Sequence, residues 1–113
     1  QFLKEVRMKT LHDLLARRNS FIGGVIEIHI KGRNALRGTI RFISLENKEV
    51  QFTILNAMEY TGKCWESSDQ VPDGSTCSYD ANLVTTVNER PQFDLGGGSW
   101  VIIYPNTDSV RIP

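Results

Sequence analysis

The feature that most constrains this chain is a single change of hydrophobic period at Gly23-Gly24. Before it, Met8, Leu11, Leu14 and Leu15 recur at helical spacing, which predicts an amphipathic helix over residues 1–19. Arg17 and Arg18 fall in its last turn, where cations suit the negative end of the helix dipole, and Asn19 and Ser20 are stop residues. After the glycines, Ile26, Ile28 and Ile30 alternate with Glu27, His29 and Lys31. Successive side chains of a strand point to opposite faces, so this predicts a half-buried strand with isoleucines inward and polar residues outward.

Further strands are expected from about Ala35 to Leu45 and from Val50 to Tyr60, separated by the polar turn Glu46-Asn47-Lys48-Glu49. Residues 61–99 break the pattern. They are rich in Ser, Asp, Gly, Asn and Thr, and only Asn82–Val87 reads as a strand. This stretch is expected to be a flexible insertion, largely dispensable for folding and ending in a linker-like Gly96-Gly97-Gly98-Ser99. Beyond it, Val101-Ile102-Ile103 reads as a buried strand, Pro105–Asp108 as a turn and Val110-Arg111-Ile112 as a short last strand. The expected fold is mainly β: one domain over residues 1–113, with an N-terminal helix and a strongly bent, five-stranded antiparallel barrel. Gly38 is expected where the second strand bends.

Net charge is zero but unevenly placed. Residues 1–49 hold ten cations against five carboxylates and the remainder three against eight, so a basic half faces an acidic one. That suits either head-to-tail stacking or a basic surface on phosphate. No apolar run is long enough to span a bilayer, and no membrane partner is expected. The chain opens on Gln1 and reads as a fragment or processed product. Cys64 and Cys77 read as free thiols in a reducing compartment, the nucleus or cytoplasm, with a loop-closing disulfide as the alternative. With His12 and His29 distant in sequence they make no zinc pattern. No phosphate-binding loop, zincin helix or nucleophile elbow is present, so no enzyme, cofactor, metal or small-molecule substrate is expected. Trp100 reads as a core or interface residue, and Trp65 as an anchor for a protein partner.

In order and spacing these segments resemble the Sm and Sm-like (LSm) family. Ile22–Lys31 fits the family's first strand, and Leu36-Arg37-Gly38-Thr39-Ile40 resembles its Arg-Gly-Thr-Leu step. Val50–Tyr60, with Asn56-Ala57-Met58-Glu59, resembles the end of the first motif over residues 22–60. Val101–Pro105 with Ser109–Ile112 resembles the second motif over residues 100–113. The resemblance implies a non-catalytic subunit of a ribonucleoprotein assembly in RNA processing. Such a subunit pairs with other Sm-like chains, or with itself, through strand edges. Candidate interface residues are then Val50, Phe52, Ile54, Val101, Ile103 and Trp65.

The family's nucleotide pocket uses a stacking side chain, an Asn two residues on, and an Arg-Gly step. Here Glu49, Gln51 and Tyr104-Pro105 stand at those places. A carboxylate cannot stack and repels phosphate, so the pocket is degraded. Candidate RNA contacts are Gln51 and Tyr104, with Arg33, Arg37 and Arg41 for single-stranded RNA phosphates. A long insertion also occurs in the large Sm-like subunit of the histone pre-mRNA processing particle. The alternative, as in LSm domains of Gemin-type and decapping proteins, is a protein-interaction module that does not touch RNA.

Overall fold

A computed structural model describes residues 2–106, with side chains from Lys9 onward. The expected final strand at Val110–Ile112 lies outside the described residues. Helix α1 spans Phe2–Ala16 and a one-turn helix α2 spans Arg18–Phe21. The break at Arg17 takes both arginines out of α1, and Arg17 instead pairs with Asp13 one turn back at 2.8 Å. Of the predicted stripe, Leu14 is fully buried and Leu11 and Leu15 pack against the core beside it.

Among the described residues eight strands follow: β1 Val25–His29, β2 Leu36–Glu46, β3 Glu49–Tyr60, β4 Trp65–Ser67, β5 Ser75–Asp80, β6 Val84–Val87, β7 Arg90–Gly96 and β8 Ser99–Tyr104. They form one antiparallel sheet in the order β4-β3-β2-β1-β8-β7-β6, with β5 also on β3. Where five strands were expected over the whole chain, the described residues alone form eight, and among them the sheet is not closed. The extra strands lie in residues 61–98. The inward positions of β5 and β6 are Ser75, Cys77, Tyr79 and Val84, too mixed in polarity to show an apolar period, while on β7 Pro91, Phe93 and Leu95 alternate inward over only three positions. A 3₁₀ turn at Ala81–Leu83, capped by the Asp80 carboxylate accepting from Asn82 N, links the two ends of the sheet.

Two bulges bend β2 against β3, between Arg37 and Thr39 and between Ile40 and Phe42. At the first, Asn56 takes a left-handed φ of 50-odd degrees (54°), which lets β3 carry an extra residue. Gly38 sits opposite, and a Cβ there would meet Ile54 Cβ at 3.0 Å. Bending brings β3 over β7: the Phe52 and Phe93 rings meet edge-on, centroids 6.0 Å apart, with Tyr79 5.6 Å from Phe93. Around them Ile26, Ile40, Val50, Val84, Val101 and Ile103 complete the core.

Three hairpins turn on two residues with positive φ: Asn47-Lys48, Asn88-Glu89 and Gly97-Gly98. Paired positive φ values match the right-handed twist of the flanking strands. The linker-like glycines are therefore a tight turn between β7 and β8, since flexible linkers and this turn share a composition. At the other end Gly24 passes under β8, where a Cβ would stand 2.1 Å from the Tyr104 carbonyl.

Candidate interaction surfaces

On β1 the polar residues alternate outward as expected, but they are not solvated. Glu27 Oε1 lies 2.5 Å from His29 Nε2, and Arg37 Nε donates to Glu27 Oε2 at 2.7 Å. The Glu27 and Arg37 side chains are only 11% and 12% exposed. Two tryptophans cover them. Trp65 lies under the Arg37 guanidinium at 4.2 Å, and Trp100 stacks on His29 at 4.6 Å with the rings 13° from parallel. A cation over an indole face and a carboxylate with two donors make this charged group tolerable at low exposure. Arg37 Nη1 is buried without a partner among the described residues.

Sheet register places these rings in one row. His29 pairs with Trp100, Trp100 with Asp94, and Tyr60 with Trp65. Tyr60 N donates to the Ala35 carbonyl at 2.9 Å, which puts Ala35 between His29 and Tyr60. The row across the outer face therefore reads Trp100, His29, Ala35, Tyr60, Trp65, with Ile102, Glu27, Arg37 and Met58 in the row behind it. Trp100 and Tyr60 stay more than a third exposed.

The residues expected to bind RNA do not converge. Tyr104 shares a register line with Val25, Thr39 and Leu55. Gln51 is three strands away from Tyr104 and four residues along β3 from Leu55, beside Ser44 and Ser78. Its end of the sheet carries Glu46, Glu49 and Asp80 directly opposite one another, which repels phosphate. Arg33 stands exposed on the β1–β2 turn, Arg41 lies exposed at the second bulge over the Phe42 ring, and Arg37 is committed to Glu27 and Trp65. Tyr104 has the Arg90 guanidinium 5.0 Å from its ring.

The residues expected at a protein interface are corrected more firmly. Val50, Phe52, Ile54, Val101 and Ile103 are core side chains. Their strands are flanked on both sides within the chain, because β5 covers β3 and β7 covers β8. Trp65 is half-buried against Arg37 and Tyr60 rather than presented on a loop.

Among the described residues the edges are β4, β5 and β6. β4 is three residues long, and β6 lies beside α1, where Thr10 Oγ1 is 2.9 Å from Thr86 Oγ1. β5 runs six residues without a bulge, proline or lysine. Ala81 N donates to the Lys48 carbonyl at 2.9 Å, and by alternation the backbone groups of Thr76 and Ser78 point away from β3. Inward on β5, burial pushes the Cys77 thiol up from its ordinary range, partly opposed by its hydrogen bond with Tyr79. Burial, then the neighbouring Cys77, pushes the Tyr79 hydroxyl up as well. Both cysteines are free thiols. Among the described residues, no group of three or more His, Cys, Asp or Glu is placed to hold a metal, and no helix is long and apolar enough to cross a membrane.

Sequence reasoning missed Glu27, His29 and Trp100 as a unit. The signal was the alternation itself, which set Glu27 and His29 on one face, but their tryptophan cover depends on a β1–β8 register spanning 71 residues from His29 to Trp100. Comparison with protein-family models, with curated proteins and with solved structures finds no match.

Proposed function

We propose that this chain is a non-catalytic, Sm-like interaction subunit of an RNA-processing assembly in the nucleus or cytoplasm, joined to other chains by strand addition and not reading RNA bases itself. The edge of β5, unpaired among the described residues, carries the reading. An exposed strand edge presents unpaired N–H and C=O groups that another strand completes, and folds that stay single protect such edges with charge, proline, bulges or brevity. β5 has no proline, bulge or lysine within its six residues, and its one charge, Asp80, stands at the strand's end and caps the turn that follows. The separation of Gln51 from Tyr104, and the acidic end beside Gln51, favour protein contact over a nucleotide pocket.

The test is light scattering of the full chain, alone and mixed with other Sm-like proteins, before and after nuclease. A mass above the monomer that survives nuclease and is lost in Ser78→Pro is expected, because this proline blocks only an outward N–H. A monomer under every condition, or an assembly that ignores Ser78→Pro, overturns the reading. Titration with oligouridine and oligoadenine at two salt concentrations checks the second half. Weak, salt-sensitive binding without base preference is expected, carried by Arg33 and Arg41. Tight uridine-selective binding that Gln51→Ala abolishes restores the nucleotide pocket.

A further inference from the structure

We infer that the aromatic row on the outer face is a docking surface for a proline-rich segment of a partner protein in the polyproline II conformation. This site is separate from the β5 edge and does not rest on it.

Four observations lead there. Along the row β8, β1 and β3 already pair on both sides and β4 alone, at its end, is an edge, so an occupant lying across the row binds through ring faces and not by adding a strand. Directly behind the row Glu27 cancels Arg37, and beside Trp100 the exposed Asp94 adds a carboxylate at the row's end, which disfavours a phosphate backbone. The indole N–H groups of Trp65 and Trp100 and the Tyr60 hydroxyl donate to no described residue, so three donors stand ready. Polyproline II segments carry carbonyls with no internal hydrogen bonds, and these are matching acceptors.

Spacing adds the fourth. The row consists of two ring pairs, Trp100 with His29 and Tyr60 with Trp65, separated by Ala35. His29 and Tyr60 stand two strands apart, about 9.6 Å in a sheet. One turn of polyproline II advances about 9.3 Å, so residues i and i+3 fall one against each pair. The small Ala35 leaves the space between them open. Aromatic grooves recognise proline-rich segments in this way because the ligand is already ordered before it binds.

Both tryptophans of the chain lie in the row, so intrinsic fluorescence reports on this surface alone. The experiment titrates the full chain with a ten-residue polyproline peptide. A saturable shift in tryptophan emission is expected. Tyr60→Ala should weaken it about tenfold, the loss typical of an aromatic anchor. Ala35→Glu should do the same while leaving every ring in place, and circular dichroism confirms that each variant is folded. Ser78→Pro should bind like the parent chain. No saturable change up to millimolar peptide, or a shift indifferent to Tyr60→Ala and Ala35→Glu, overturns the inference. Oligouridine that shifts the same emission more tightly, and loses that effect in Tyr60→Ala, overturns it in favour of single-stranded nucleic acid.

Discussion

Residues 22–60 and residues 61–98 build the same sheet from opposite kinds of sequence. The first stretch alternates apolar and polar residues almost without interruption, and β1, β2 and β3 follow it. The second has few apolar residues, yet it places Val84 and Phe93 in the core as completely as Ile26 or Phe52. The difference teaches that period reports how many inward positions a strand has, not how much each one matters. β6 is a four-residue edge strand with Val84 alone buried, and β7 inside it packs through Pro91, Phe93 and Leu95, so a few side chains per strand do the packing.

The largest expected effect comes from removing the second region. Replacing Lys63–Gly98 with a short Gly/Ser turn takes away β4 to β7 and the partner strand of β8, and cooperative thermal unfolding should disappear. A transition within a few degrees of the parent chain would return this region to the status of an accessory loop.

A sharper form of the comparison sets one ring against the other. Phe52→Ala and Phe93→Ala should each cost about 3–5 kcal/mol in urea unfolding, the range for buried aromatics. Because the two rings touch, the double variant should fall short of the sum. A Phe93→Ala cost well below that of Phe52→Ala would show that the second region only leans on the core.

Within the first region, Gly38→Ala should cost about 1–3 kcal/mol, the scale of overpacking in a filled core. The new methyl meets Ile54 Cβ, which cannot swing aside as a chain end can. An unchanged urea midpoint would show that the bulge beside it absorbs the strain.

The smallest effect belongs to β5 and to alkaline pH. Cys77 and Tyr79 have raised values in the fold against ordinary values of 9.0 and 10.0. Above about pH 9 the unfolded chain releases protons that the folded chain keeps, so stability is intact below that point and falls as pH rises beyond it. The urea midpoint should decline between pH 8 and about 10.5, and Cys77→Ala with Tyr79→Phe should flatten the decline. A flat profile in the parent chain would show that β5 is open to solvent.

What could be read in advance divides along the same line. The helix stripe, the three long strands and the Asn47-Lys48 turn were legible because each is encoded within a few adjacent residues. β5 was not, since Ser75, Cys77 and Tyr79 face inward without an aliphatic side chain among them. The edges were misplaced for a related reason: an apolar strand looks like an edge until its second partner is known, and β5 and β7 were hidden in the irregular stretch. The outer row needed still more. Glu27 and Arg37 are ten residues apart, and His29 and Trp100 meet only after the chain has traversed most of the sheet.

Gly24 has a consequence for descent. Its missing side chain leaves the room through which the first strand slips beneath the last, with the Tyr104 carbonyl where any substituent would stand. No neighbour can accommodate an atom at that crossing without separating two backbones. In a distant cousin whose remaining letters have been rewritten, a glycine after the helix, followed by an alternating strand, is the mark that should outlast the others.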